Sequence, residues 1–159
     1  MHKQLLAAGL CLLAVGCARS SAVRVSENSA IITTSAAPAC GGAGAAKVAQ
    51  KQAAIETLKD GYDRYIIVAA SAANNVQATQ MPGTYQTIGT LNSYGSYGIL
   101  NTTTTYQPGP VIFSGTHDQS FGIRMFIDGQ SGSEQAISAK EVLGPKWAEI
   151  VKDGVMTCT

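Results

Sequence analysis

The positions of four cysteines constrain this chain more than any other feature: Cys11, Cys17, Cys40 and Cys158. The first lies inside, and the second just after, the apolar run of residues 5–15, which follows Lys3. This run has the length of a signal-peptide core and is too short to cross a bilayer, which takes about 20 apolar residues. We therefore expect residues 1–16 to be a signal peptide, so that the folding chain begins at Cys17.

The residues that precede Cys17 resemble a lipobox, the sequence at which bacterial lipoprotein precursors are cleaved and lipidated. They are Ala14-Val15-Gly16. The resemblance implies that Cys17 carries the lipid, palmitate included, and that the mature protein is anchored to a membrane. Because residue 18 is not Asp, it also implies an outer-membrane location facing the periplasm. Ordinary secretion, with Cys17 as a plain thiol, is the alternative.

The two cysteines that remain predict one disulfide. An exported protein lies in a compartment where disulfides persist, and Cys40 and Cys158 allow only one pairing. The bridge would close a loop of more than 100 residues and would stabilise the fold by about 4 kcal/mol in the chain-entropy model. Two separate thiols are the alternative. The wide spacing lacks the paired ligands of a zinc site, so we expect no metal.

The charge balance argues against several classes of partner. Without Lys3, ten Lys and Arg residues balance ten Asp and Glu residues. A neutral chain lacks the basic surface that nucleic acids attract, and we expect no nucleic-acid partner. Residues 65–117 contain no Asp, Glu, Lys or Arg.

The middle of the chain predicts a β-α-β unit. β-Branched residues at 30–34 indicate a strand, and apolar spacing over residues 45–59 predicts a helix that ends at Asp60-Gly61. The apolar run of residues 65–70 that follows is typical of a strand buried on both faces. If the two strands are parallel, their crossover should be right-handed.

The last third predicts two more strands and a second helix. Residues 111–114, three of them apolar, indicate one strand, and Phe121, Ile123, Met125 and Ile127 alternate with other residues in a second. A helix is expected over residues 133–152, capped by Ser133 and interrupted at Gly144-Pro145. The prediction is therefore a small α+β domain over residues 29–159. It has four to six strands, two main helices and one disulfide, and follows a flexible tether of residues 17–28.

A segment rich in Tyr, Thr and Gly interrupts this domain at residues 74–110. We expect either a long hairpin excursion or a partly disordered loop. Tyrosine among Ser, Gly and Asn is a composition suited to recognition. The candidate recognition residues are Tyr85, Tyr94, Tyr97 and Tyr106. The alternative is a hairpin whose tyrosines cover the domain's own sheet.

Groups suited to catalysis are few. After residues 1–16 are removed, His117 is the only histidine, and His117-Asp118-Gln119-Ser120 contains the residue types of a hydrolase triad. Neighbouring side chains of an extended chain point to opposite faces, which argues against a relay. The glycines at 41, 42 and 44 suggest an anion site at a helix start, or more simply a flexible turn. We expect no enzyme activity and no cofactor.

Two families resemble parts of the chain. An alanine-rich helix followed by Gly61-Tyr62-Asp63 and a buried strand, over residues 53–68, looks like a pattern in small proteobacterial envelope lipoproteins. The helix with Leu143-Gly144-Pro145 before Trp147 adds to this likeness. A more distant similarity is to the outer-membrane lipoprotein that senses stress for the Rcs phosphorelay, which presents a tethered, disulfide-bonded α/β domain.

Taken with the scarcity of catalytic groups and the Tyr-rich segment, we expect a non-enzymatic structural or interaction module of the envelope that contacts an envelope protein or peptidoglycan. A stress sensor and an accessory lipoprotein of a secretion or conjugation apparatus are alternatives. A hydrolase that uses His117 is a more remote one.

Overall fold

The computed structural model describes residues 17–158, and the predicted signal peptide lies outside these residues. They form two units. The core unit consists of residues 17–74 and 116–158, and the ribbon consists of residues 75–115. In chain order the elements are β1 (Ala18–Ser26), β2 (Ser29–Ala36), a 3-10 turn (Pro38–Cys40), α1 (Gly41–Lys59), β3 (Arg64–Asn74), β4 (Gln77–Gln80), β5 (Thr84–Tyr94), β6 (Tyr97–Gln107), β7 (Val111–Ser114), β8 (His117–Phe126), β9 (Ile137–Ser138), α2 (Ala139–Leu143) and α3 (Trp147–Asp153).

The sheet of the core unit has five strands in the order β1-β2-β8-β3-β9, and all neighbouring strands are antiparallel. Because β2 and β3 both run antiparallel to β8, they are parallel to each other with β8 between them. The predicted β-α-β unit is therefore present, but its two strands are not neighbours. The prediction of an α+β fold with four to six strands and one disulfide is confirmed.

Helix α1 packs on one face of this sheet. Its buried face consists mostly of alanines, together with Val48 and Ile55, and small side chains allow the helix to lie close to the strands. The helix starts at Gly41, earlier than the predicted residue 45. It ends at Lys59 and is capped by Asp60, whose N–H donates to the carbonyl oxygen of Glu56 at 3.0 Å. Gly61 follows with φ 84°, a conformation that glycine adopts without strain.

The core lies between α1 and the sheet. Alternate residues of β8 are buried, as the sequence predicted, because every second side chain of a strand points to the same face. The largest fully buried side chains of the core cluster are Ile32, Ile55, Tyr65, Ile123 and Met125. Each such aliphatic side chain contributes about 1.5–3 kcal/mol by leaving water. Ile127, predicted on the same face, lies beyond the end of β8 and is 54% exposed.

Two strand predictions need correction. Strand β3 was expected to be buried on both faces, but Ile67 and Val68 are 37% and 57% exposed. Helix α1 packs on only one face of the sheet, and residues 67–74 of β3 are exposed. Strand β9 pairs only with Arg64 and Tyr65, so the rest of β3 also has only one paired edge. The segment expected to be a flexible tether is also different, because Ala18–Ser26 forms β1 and pairs with β2.

The C-terminal helix is shorter than predicted. Residues 133–136 form turns rather than a helix, because the chain first pairs with β3 through β9. Ser138, not Ser133, caps the helix by accepting a hydrogen bond from the N–H of Glu141 at 3.4 Å. The expected interruption at Gly144-Pro145 is present and separates α2 from α3.

Candidate interaction surface

Cys17 lies beside the disulfide at one end of the core unit. Cys40 and Cys158 are bonded, with their Cα atoms 5.7 Å apart and a sequence separation of 118. Cys17 forms an antiparallel bridge with Thr157, the residue before Cys158. Its carbonyl oxygen also accepts a hydrogen bond from the N–H of Ala37 at 3.0 Å. The start of the described chain is therefore held to its C-terminal end and to the turn that carries Cys40.

Glycine 44 allows α1 to approach this disulfide. A Cβ atom on Gly44 would lie 3.1 Å from the Cβ of Cys40 and 3.2 Å from that of Cys158. Gly44 is therefore needed for close packing, whereas a Cβ on Gly41 would have no atom within 4 Å. This packing accounts for one of the three glycines that suggested an anion site.

One row of residues crosses the sheet at the same end as Cys17. Ala18 pairs with Ala36, Ala36 with His117, and His117 with Asn74. Strands lie about 4.8 Å apart, so Asn74 and His117 are within about 15 Å of Ala18. The chain leaves the core unit after Asn74 and returns before His117. Both connections to the ribbon therefore lie at the same end of the sheet as Cys17.

The structure does not bring the hydrolase-like residues together. Gln119 and Phe121 are buried against α1, which places His117 on the helix side of β8 and Ser120 on the opposite face. The Nδ1 atom of His117 lies 4.0 Å from the position of a Cβ on Gly42. Asp118 and Ser120 share the open face of the sheet without the histidine.

The ribbon is made of two paired segments, so the hairpin alternative predicted for residues 74–110 is the correct one. Strand β4 pairs with β7 next to the points where the chain leaves and re-enters the core unit. Strand β5 pairs with β6 over all 11 residues of each strand. The two segments are separated by Met81-Pro82-Gly83 on one side and Pro108-Gly109-Pro110 on the other. A side chain on Gly109 would collide with the carbonyl oxygens of Met81 and Pro82, so these two connecting segments lie in close contact.

A two-residue loop closes the β5–β6 hairpin. Gly95 and Ser96 connect Tyr94 to Tyr97, and Gly95 has φ 63°. Glycine at the first loop position with positive φ is typical of a type II′ turn, whose twist suits an antiparallel hairpin. The turn fixes the register, and therefore determines which side chains share a face.

The four predicted recognition tyrosines form two cross-strand pairs. The rings of Tyr85 and Tyr106 have centroids 5.0 Å apart at the open end of the hairpin, and those of Tyr94 and Tyr97 are 6.3 Å apart at its turn. The odd spacing along each strand places the two pairs on opposite faces. All four side chains are more than half exposed, so the structure holds them at the surface.

The two faces of the hairpin differ in chemistry. One face carries all four amides of β5 and β6, which are Gln86, Asn92, Asn101 and Gln107. The opposite face, which we call the amide-free face, carries only Tyr, Thr, Leu, Ser and Gly. Its largest aliphatic side chains are the pair Leu91 and Leu100, which are 68% and 63% exposed.

Sequence reasoning missed the aliphatic part of this surface. Besides the two leucines, Ile88 and Ile99 are exposed on the amide-bearing face. The signal was present in Gly95-Ser96, because a two-residue loop there dictates the pairing of Leu91 with Leu100.

Two ionisable side chains of the core unit, Tyr65 and Arg64, have raised pKa values. Burial raises the pKa of Tyr65 to about 12, although its hydroxyl donates to the carbonyl oxygen of Gln50 at 3.2 Å. A hydrogen bond to Asp128 and the charge of that carboxylate raise the pKa of Arg64, which remains at the surface.

An open cleft of about 560 Å³ lies at the end of the core unit opposite Cys17, and it contains no histidine or cysteine. It is lined by Glu27, Asn28, Tyr62, Ile127, Asp128, Gly129 and Gln130. Among residues 17–158, no group of three or more His, Cys, Asp or Glu side chains is arranged to hold a metal ion. Within the same residues, no helix has the length and apolar character needed to cross a membrane.

No protein-family model, curated protein or solved structure matches this chain.

Proposed function

We propose that this protein is a lipid-anchored lipoprotein of the outer membrane that faces the periplasm and acts as a non-enzymatic interaction module. The lipid is attached at Cys17, the core unit is the scaffold, and the ribbon is the element that contacts a partner. The observation that carries the proposal is the ribbon itself, which exposes aromatic and aliphatic side chains on two faces and contains no charged residue.

The position of Cys17 supports this division of labour. Cys17 is exposed and belongs to the same end of the core unit as Asn74 and His117, from which the ribbon starts. A lipid on Cys17 would therefore hold the base of the ribbon near the membrane surface. The disulfide beside Cys17 keeps that end of the core unit folded.

The exposed apolar area supports an interaction rather than a purely structural task. Monomeric soluble proteins rarely expose large contiguous apolar patches, and those that exist are often binding sites. In the hairpin, Leu91, Leu100 and the tyrosine pairs lie on one continuous ribbon. Rigid aromatic side chains among Ser, Thr, Gly and Asn provide contact area at a low cost in conformational entropy.

Two measurements in intact cells test the proposal. Metabolic labelling with a fatty-acid analogue should mark the wild-type protein and not the Cys17→Ser variant. A photo-crosslinking residue in place of Leu91 should form adducts with envelope protein or peptidoglycan, whereas the same residue in place of Lys47, which is exposed on α1, should form none. Equal labelling of Cys17→Ser would overturn the anchor, and adducts from Lys47 alone would overturn the ribbon as the contact element.

A further inference from the structure

The hairpin of the ribbon has two strand edges that no described strand pairs with. Each of β5 and β6 has one partner, the other, so each keeps a free edge along 11 residues. In an antiparallel pair, residues that exchange hydrogen bonds alternate with residues whose N–H and C=O groups point outward. The two-residue loop makes Tyr94 and Tyr97 an exchanging pair. The N–H and C=O groups that point outward therefore belong to Ser93 and Gly98 and to every second pair from there toward the open end of the hairpin.

These outward-pointing residues are the residues of the amide-free face. They include Leu91 with Leu100 and Thr87 with Thr104. Each edge thus combines outward backbone groups with threonine and tyrosine side chains, which favour extended structure, and with leucine, serine and glycine.

The hairpin lacks four of the devices by which natural sheets protect their edges. These four are charged side chains, prolines, bulges and short strands. Residues 84–107 contain no charged residue and no proline, and the pairing of β5 with β6 shows no register shift. The edges of the core unit are different, because β1 carries Arg19 and Arg24 and a register shift, and β3 has a shift after Ile67.

We propose that copies of this chain associate edge to edge through the hairpin, with β6 of one copy pairing with β5 of the next. The proposal rests on the proposed function and names the partner of the ribbon as a second copy of the chain. The two edges are equal in length, and the absence of charge removes repulsion between copies. The amide-free faces of neighbouring copies then form one continuous surface.

The direction of the strands favours β6 with β5 over β6 with β6. We consider two hairpins that lie side by side in the same orientation. In that arrangement β6 of one copy is antiparallel to β5 of its neighbour and parallel to its β6. Antiparallel pairs are slightly more stable per residue, and a head-to-tail contact uses both edges of each copy.

A pair of matched variants tests the proposal on the full lipidated chain in detergent. In Thr87→Pro with Thr104→Pro, both edges lose an outward N–H while the hydrogen bonds between β5 and β6 remain, since proline is tolerated where the N–H faces away from the partner. In Thr87→Ala with Thr104→Ala, the same side chains and their 2.9 Å hydroxyl contact are lost, but the N–H groups stay. Sedimentation velocity reports the mass of each form.

We expect the wild type and the alanine variant to be oligomers and the proline variant to require at least a tenfold higher concentration to associate. A monomeric wild type at all concentrations, or equal association of the proline and wild-type chains, would overturn the proposal. Thr87→Lys with Thr104→Lys should also dissociate the oligomer through like-charge repulsion, which keeps the test valid if the prolines unfold the hairpin.

Cysteine crosslinking identifies the strands that meet. A chain with Thr87→Cys mixed with a chain with Thr104→Cys or Thr102→Cys should give mixed disulfides, and crosslinks only between two Thr87→Cys chains would overturn the head-to-tail pairing. Binding of monomers of the Cys17→Ser chain, which lacks the lipid, to phosphatidylethanolamine–phosphatidylglycerol vesicles, without self-association, would overturn it in favour of a lipid surface. If adducts from Leu91 contain only a different protein, self-association fails while the proposed function stands.

Discussion

The core unit and the ribbon differ in how their outer strands are protected from pairing with other chains. The core unit packs one sheet face against α1, closes one end with the Cys40–Cys158 disulfide and places arginines and register shifts along its outer strands. The ribbon keeps both faces of β5 and β6 exposed and has no charge along them. This difference is the basis of our proposal that the core unit provides stability and the ribbon provides association.

Loss of the disulfide should have the largest effect on this comparison. The bridge closes a loop of 118 residues, so replacing Cys40 and Cys158 by Ser should lower the free energy of unfolding by about 4–5 kcal/mol. Urea unfolding followed by the fluorescence of Trp147, the single tryptophan, reports the core unit alone. Cys17→Ser is the control and should leave the midpoint unchanged. An unchanged midpoint in the double variant would show that the bridge adds nothing to the core unit.

The same truncation in the two regions should give very different results. Ile123 is fully buried, whereas Ile88 is 67% exposed. Ile123→Ala should lower the free energy of unfolding by about 2–5 kcal/mol, because it leaves a cavity. Ile88→Ala should change it by no more than about 0.5 kcal/mol. A loss of several kcal/mol in Ile88→Ala would mean that the ribbon is part of the core.

Alkaline pH should act on the core unit through Tyr65. The pKa of Tyr65 is raised to about 12 in the folded protein from about 10 in the unfolded chain. The buried neutral hydroxyl therefore contributes fully to the free energy of unfolding below pH 10, and this contribution declines as the pH rises toward 12. At pH 11 the loss should be about 1 kcal/mol. Tyr65→Phe should remove this part of the decline, and Tyr97→Phe on the ribbon should not. Parallel pH profiles for the wild type and Tyr65→Phe would contradict the assignment.

The smallest effect concerns the ion pair at the edge of the core unit. Arg24 lies 2.9 Å from Asp60, and both side chains are partly exposed. Exposed pairs contribute about 0–1 kcal/mol, so Arg24→Ala should change the free energy of unfolding by less than about 1 kcal/mol, and less still in high salt. Arg19→Ala is the matched control on the same strand. A larger loss for Arg24→Ala, independent of salt, would assign Arg24 a buried structural contact.

The sequence predicted the elements whose signal is local. The spacing of Val48 and Ile55 indicated α1, the alternation of Phe121, Ile123 and Met125 indicated β8, and cysteine counting indicated the disulfide. The errors arose where the structure of a segment depends on strands that are distant in sequence. The buried character of β3 depended on what covers Ile67, and the order of Ala18–Ser26 depended on pairing with β2, which short-range composition does not report.

The candidate site was predicted in part for the same reason. Tyrosine composition located the segment, but only the register set by Gly95-Ser96 shows that Tyr85 faces Tyr106 and that all four amides share one face. The prediction that Cys17 is lipidated stays a prediction. The structure adds that Cys17 lies at the end of the core unit from which the ribbon starts.

Removing the ribbon tests the division between stability and association most directly. Asn74 and His117 are register partners, so replacing residues 75–116 by Asn-Gly should close β3 and β8 with a tight two-residue turn. In sedimentation velocity beside the full chain, in the same detergent, the shortened protein should be a compact monomer. An expanded chain would show that the core unit needs the ribbon to fold. An oligomer like that of the full chain would place association in the core unit and contradict the account.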